Sequence, residues 1–233
     1  MNVAFQNEAH EPLAGVVDWA GRLFLPPPAL RLVHRRENAI GLVPCRFLAF
    51  GNYRANRNTE LCDVYAVYAD PLASTRERIA QFRAQAAPFG RVPGFNVSVR
   101  PIIAESEGAA WDKANRILAA MNQTKGWRRQ EASTGPVDNA GKRLMRFALE
   151  SDIHDERLWM PIARATGALG NTSCLVGTPE QVAEAILKYY RLGVDSFLIR
   201  GFDPLNDATE FGRELIPRIK AGAASNDGAK AAE

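Results

Sequence analysis

The sequence predicts an α/β fold in which parallel strands alternate with helices and curl toward a barrel. Three observations carry this. From residue 61 onward, short β-branched or aromatic runs alternate with capped, amphipathic segments. One of the strands, 94–104, alternates apolar with polar residues, as a strand does when one face meets helices and the other a lined interior. No GxGxxG or GxxxxGK[ST] follows any strand, so the fingerprints of the open nucleotide-binding sheets are missing. The 233 residues fall just short of the roughly 250 of a complete eight-stranded barrel.

Residues 1–60 do not share this pattern. Pro26, Pro27 and Pro28 interrupt them, HRREN (34–38) is a charge cluster, and FGNYRANRN (50–58) is polar and turn-rich. PCRFLAF (44–50) is the one run that reads as a buried strand. The aperiodic, arginine- and proline-rich text suits a frameshifted or mis-started translation.

The regular elements begin with DVYAVYA (63–69), a buried parallel strand. A helix follows over 74–90. It opens on the capping-box spacing of Ser74 and Glu77, places Ile79, Phe82 and Ala86 on one face, and stops at Pro88 and Gly90. GFNVSVRPIIA (94–104) is the next strand, and 105–121 the next helix, with Trp111, Ile117, Leu118 and Met121 facing the core. Residues 122–157 are an insertion with turn chemistry at Gly135-Pro136 and a helical piece at 142–149; such excursions serve as lids or as solvated surface loops. TSCLVG (172–177) is extended. Thr178, Pro179 and Gln181 then start a helix that ends at Gly193. VDSFLIRG (194–201) is a strand, 203–219 a helix, and 221–233 a frayed tail of small polar residues.

Composition excludes several classes. A net charge of +3 from 29 basic and 26 acidic residues is no nucleic-acid-binding face. No apolar run is long enough to cross a membrane, and the polar N-terminus is no secretory signal. Cys45, Cys62 and Cys174 are scattered, as are His10, His34 and His154, so neither a disulfide framework nor a metal site is written, and a cytoplasmic protein is expected.

Chemistry is expected at the C-terminal ends of the strands. Asn96, Ser98 and Arg100 share the polar parity of their strand; an edge strand with one solvated face reads the same way. Arg200, Phe202 and Asp203 lie at the turn after the last strand, and Asp203 also fits a helix cap. In RATGALGNTS (164–173), Gly167, Gly170 and Asn171 form a loop able to approach a phosphate or other anion, with Arg164 as charge partner. His154-Asp155-Glu156 reads as a surface cluster rather than a metal site. Cys174 reads as core.

At these residues a family likeness becomes visible. CLVGTPEQVAEAILKYYRLGVDSFLIRGFDPLNDATEFGRELIPRI (174–219) resembles the C-terminal end of the bacterial luciferase-like flavin monooxygenases, most nearly the alkanesulfonate monooxygenase branch. Residues 63–114 are similar to the same family, and the resemblance covers 61–220. It implies a (β/α)₈ TIM barrel, here incomplete: the last three strands and their helices with a lid-like insertion. Residues 1–60 carry no match to it and lack the family's Gly-Ser-Ser phosphate loop.

The implied activity is FMNH₂-dependent: reduced FMN is a co-substrate, O₂ the oxidant, no metal is involved, and an organosulfonate such as an alkanesulfonate yields an aldehyde and sulfite. The implied partners are an NAD(P)H-dependent flavin reductase and further copies of the chain in a homo-oligomer. Arg164 resembles the family's loop arginine, and with Arg100 it is the implied catalytic pair. Asn96, Ser98, Arg200 and Phe202 would line the substrate and flavin. The family's inward Arg and His correspond to Ser98 and Arg100, and its Gly-Tyr to Gly201-Phe202, so an imidazole and a hydroxyl are missing here. A deazaflavin-dependent hydride transfer on the same fold, or an inactive fragment, are the alternatives.

Overall fold

The computed structural model describes strand residues 5–6, 12–13, 16–17, 23–24, 32–36, 39–43 and 48–50, and the stretches 63–123, 139–168 and 172–231. The chain divides into two units, Met1–Phe47 and Leu48–Glu233. The described strands of the first form three antiparallel pairs, the longest joining Leu32–Arg36 to Ala39–Val43.

The second unit begins with β1 (Leu48–Phe50) and β2 (Val64–Tyr68). Helix α1 (Leu72–Ala86) and the ten-residue β3 (Gly94–Ile103) follow, then α2 (Glu107–Gln123). The insertion supplies α3 (Asn139–Glu150), the short strands β4 (Ile153–His154) and β5 (Leu158–Trp159), and α4 (Pro161–Ala165). The chain returns through β6 (Cys174–Gly177), α5 (Pro179–Arg191), β7 (Ser196–Ile199) and α6 (Pro204–Glu210). A π-helical turn at Phe211–Leu215 leads into α7 (Ile216–Ala231).

Strands β1, β2, β3 and β7 run parallel and pair in that order. Strand β3 is long enough to hold two partners in one direction: β7 on residues 96–99 and β6 on 100–103. The insertion hairpin β4–β5 then joins β6 antiparallel. Among the described residues the sheet does not close, so the incomplete barrel expected from the sequence is what is found. The run 172–177, read as extended, forms β6 and pairs with the upper half of β3.

Side chains of odd parity on β3 face helices. Phe95, Val97 and Val99 are 1% exposed and share a core with Ile79 and Phe82 of α1 and with Val182, Ile186 and Tyr189 of α5. Tyr65 stacks on Phe82 at 4.1 Å while Phe95 meets both rings edge-on. Each such buried side chain contributes about 1.5–3 kcal/mol. On the even face, Ile102 packs with Cys174 and Val176 of β6 and Trp159 of β5 beneath Ala110 and Ala114 of α2. Lower on that face Ser196 and Leu198 of β7 are exposed, while Ser98 of β3 is buried.

Local signals explain some boundaries and distant ones others. The Thr178–Gln181 capping box forms as the spacing predicts, its two bonds at 3.3 and 2.9 Å, and Gly193 takes φ 99°. Helix α1 instead starts at Leu72, two residues before Ser74, because the Asp155 carboxylate accepts the Leu72 N–H at 2.6 Å from 83 residues away. Beyond residue 221, where a frayed tail is expected, α7 continues to Ala231. Tyr190 donates its hydroxyl proton to Asp227 at 2.7 Å and Arg191 its Nε–H to Asn226 at 3.3 Å, which holds this helix on α5.

Candidate functional site

The even face of β3 carries the predicted polar residues. Asn96 Nδ2 donates to Ser196 Oγ across the β3–β7 pair at 2.9 Å. Ser98 is 3% exposed. Arg100 is half-buried, donates through Nη1 to the Gly201 carbonyl at 2.6 Å, and stacks over the Phe202 ring at 5.0 Å. Burial lowers the guanidinium's pKa, and the neighbouring charge of Arg200 lowers it further; Cys174 and Asp207 work the other way. Arg200 itself is exposed. The structure therefore gathers Asn96, Ser98, Arg100, Arg200 and Phe202 on two adjacent strands and the turn that follows.

That turn is held by a residue sequence reasoning missed. Asp207, 8% exposed, accepts the Phe202 and Asp203 N–H groups at 2.6 and 2.9 Å. A Cβ on Gly201 would collide with the Asp207 side chain, so only glycine lets the Gly201 carbonyl face Arg100. Lys113 of α2 reaches the same corner, donating to the Ile103 carbonyl at 3.2 Å and to Glu210 at 3.1 Å. The i+4 spacing of Asp203 and Asp207 after a strand was the available signal. Asp203 caps α6 toward Asn206, the second of the two roles its position allows.

Arg164 keeps different company. It donates to Asp152 at 2.6 Å and to the Ala148 carbonyl at 3.0 Å, which ties α4 to the end of α3. Gly167 takes φ 67° and its N–H donates to the Arg164 carbonyl at 3.3 Å, while Ala168, at φ 55°, donates to Ala163 at 2.7 Å. These amides close the end of α4 instead of cradling an anion. Gly170 and Asn171, with much of the insertion (124–138), lie outside the described residues. Just beyond, the buried Thr172 and Ser173 hydroxyls have no partner among the described residues, and the Ser173 carbonyl accepts the Arg100 N–H at 2.9 Å.

Two further clusters surround the strand ends. The Asp70 carboxylate, fully buried after β2, accepts at Oδ2 from Arg78 of α1 and Arg143 of α3, both at 2.7 Å. Its carbonyl accepts the Tyr189 hydroxyl at 2.7 Å. The side chains of the His154-Asp155-Glu156 triplet take three separate partners: His154 meets the Phe147 carbonyl, Asp155 the Leu72 amide and Glu156 Lys188. Cys174 is fully buried, and burial pushes its thiol up to about 12. Among the described residues no group of three His, Cys, Asp or Glu side chains is placed to hold a metal, and no helix is long and apolar enough to cross a membrane.

The luciferase-like monooxygenase family model matches residues 8–196, so the family text takes in most of the N-terminal segment that the resemblance over 61–220 left out. A sulfoquinovose monooxygenase from Novosphingobium aromaticivorans is 29% identical over 207 residues, 86% of this chain and 54% of the relative. Among solved structures, DmoA from Hyphomicrobium sulfonivorans superposes with a TM-score of 0.55 at 19% identity, over 81% of this chain and 46% of its own. The riboflavin lyase RcaE, solved with a modified FMN and riboflavin, gives 0.52 at 18%, over 91% and 53%. The chain spans about half the length of these relatives.

Proposed function

The chain belongs to the luciferase-like monooxygenase family, and on that premise we propose that it serves an FMNH₂-dependent monooxygenase that oxygenates and desulfonates an organosulfonate, releasing sulfite. The observation that carries the reading is the half-buried Arg100 guanidinium, stacked on Phe202 and set beside Arg200 at the strand ends. Arginine's planar fork matches the oxygens of a sulfonate, and an aromatic face fixes the fork's plane. The sulfoquinovose enzyme among the relatives acts, by its name, on a sulfonated sugar; a sulfonate with a polar body fits the Asn96 and Ser98 side of this face equally well.

The residues present fit a reduced flavin in kind. Leu198, 42% exposed, and Phe202 offer apolar contact to a flat ring, and Arg100 and Arg200 offer positive charge to its anionic parts. Bound FMNH₂ would supply the electrons that activate O₂. The chain's own tasks are to hold the sulfonate on Arg100 and Arg200, to orient it with Asn96 and Ser98, and to exclude water. The insertion suits the last task, since Arg143 and Asp155 fasten its described parts to the turn after β2. A separate NAD(P)H-dependent reductase would deliver the flavin.

The test is an anaerobic titration of the chain with FMNH₂ and with a reduced deazaflavin, followed by sulfite release from sulfoquinovose and from an alkanesulfonate under O₂. FMNH₂ is expected to bind more tightly and sulfite to appear. Arg100→Met is expected to lower kcat/KM about 10- to 100-fold, the worth of one hydrogen bond to a charged group. Tight binding of the deazaflavin alone overturns the monooxygenase reading in favour of hydride transfer, and binding of neither overturns it for this chain.

A further inference from the structure

Arg100 and Arg200 come from different strands but reach one place. Ile199 of β7 lies opposite Val99 of β3, and the Arg200 N–H donates to the Val99 carbonyl at 3.1 Å, so the register sets residue 200 beside residue 100. Burial first, and then the charge of Arg200, lower the Arg100 pKa, so the two guanidinium groups lie within electrostatic reach. That of Arg100 is held in orientation by the Gly201 carbonyl at 2.6 Å and the Phe202 ring at 5.0 Å. The Arg200 side chain is exposed and donates to no group among the described residues. The carboxylates of this corner are engaged with other partners. Asp203 accepts the Asn206 N–H at 3.3 Å and its Nδ2 at 2.6 Å. Asp207 takes two backbone amides at Oδ2 and lies 4.0 Å from Lys113 at Oδ1, and Glu210 accepts from Lys113 at 3.1 Å. The Cys174 thiol, opposite Arg100 in register and pushed up to about 12, is uncharged at neutral pH. An oxyanion that docks on Arg100 therefore meets the charge of Arg200 as well.

We propose that this arginine pair prefers a doubly charged oxyanion to a singly charged one, so that inorganic sulfite or sulfate occupies it in competition with the sulfonate substrate. The inference rests on the sulfonate reading of the site and adds its regulation: turnover slows as the inorganic product accumulates. A sulfonate presents three oxygens and one negative charge, whereas sulfate and, at mildly alkaline pH, sulfite carry two. All three offer the Arg100 fork the same kind of oxygens, so shape separates them poorly. What differs is one unit of charge, and attraction grows with the product of the charges, so Arg200 is the group that reads the difference. Because Arg200 is exposed, the discrimination is screened by salt. The phosphate of FMN carries the same double charge, and the experiment separates the two sources.

The experiment is calorimetric titration of the 233-residue chain with sulfate, sulfite and methanesulfonate at mildly alkaline pH and low ionic strength, without flavin. Sulfate and sulfite are expected to bind about 10-fold more tightly than methanesulfonate and to displace it, with the ratio shrinking as sodium chloride is raised. Arg200→Gln is expected to weaken all three anions and to bring the ratio below about 3-fold, while Arg200→Lys keeps it above that. Arg76→Gln, which removes an exposed arginine of α1, is expected to leave the ratio unchanged. Oxidised FMN and riboflavin, followed by flavin fluorescence, are expected to bind alike with and without sulfate. Equal binding of methanesulfonate and sulfate overturns this inference and leaves the sulfonate reading standing; binding of neither overturns both. A ratio that survives Arg200→Gln, or falls as far in Arg76→Gln, overturns the role of Arg200. Sulfate that displaces FMN but not riboflavin assigns the pair to the flavin phosphate and overturns the inference as well.

Discussion

Replacing Asp70 with alanine removes a fully buried carboxylate whose Oδ2 accepts from Arg78 and Arg143 at 2.7 Å each. A hydrogen bond to a charged group is worth about 1.5–3 kcal/mol, so two give about 3–6. The guanidinium side chains are 14% and 23% exposed and recover part of their hydration, which trims the sum. The desolvation of Oδ1, which has no partner among the described residues, is also relieved. The net expectation is about 3–4 kcal/mol, within the range for removing one partner of a buried ion pair. Urea unfolding followed by tryptophan fluorescence reads it. With a slope of roughly 2–3 kcal/mol/M the midpoint falls by about 1–2 M. Asp70→Asn, which keeps the shape and an acceptor but not the charge, is expected to lose about half as much. A loss below about 1 kcal/mol for the alanine variant would mean that the arginines find equal partners elsewhere, and would refute the assignment of Asp70 as the tie between β2, α1 and α3.

Thr178→Ala removes the capping hydroxyl of α5 and is expected to cost about 1 kcal/mol in the same assay, with Thr178→Ser restoring most of it. The Cys174 thiol, pushed up to about 12 by burial, is expected to resist Ellman's reagent at mildly alkaline pH in a Cys45→Ser/Cys62→Ser background and to react fully in denaturant. The Glu107 carboxyl is lowered from 4.5 to about 2 by its bond from Arg157, with Gln181 and Trp111 assisting. Because the folded value is the depressed one, its contribution is present above the ordinary carboxylate range and disappears as pH falls toward 2; a carbon-detected NMR titration should place the midpoint there.

What was legible in the sequence is what neighbours decide. The Thr178–Gln181 box lies within one turn, and the parity of Phe95, Val97 and Val99 against Asn96, Ser98 and Arg100 is intrinsic to an extended chain, so both are found where the spacing puts them. The start of α1 was not legible, because its cap comes from Asp155 across 83 residues, and a local box at Ser74 competes for attention without forming the boundary. Arg164 is a similar case: glycines beside it suggest an anion loop, but Asp152 twelve residues earlier takes its charge. Asp70 offered only an acidic residue before a proline at a strand end. Its significance depends on arginines from two other elements, and no single-window pattern contains them.

The position of Arg100 follows from constraints that meet at Gly201. Asp207 takes the amides of Phe202 and Asp203, which fixes the turn; the turn has room for glycine only; and the carbonyl so placed receives the Arg100 guanidinium. The Asp207 carboxylate is thereby committed to backbone at Oδ2 and lies 4.0 Å from Lys113 at Oδ1, and the charge of Arg200 weighs more on Arg100 than that of Asp207 does. An anion arriving between the half-buried Arg100 and the exposed Arg200 would meet both positive charges. A mutation that freed Asp207 from the turn would therefore do two things at once: loosen Phe202 beneath the guanidinium and release a carboxylate to compete for it. Asp207→Asn separates them, since the amide oxygen still accepts the backbone bonds while the competing charge is gone. If the site is built for an anion, affinity should survive that substitution, whereas Asp207→Ala should lose it.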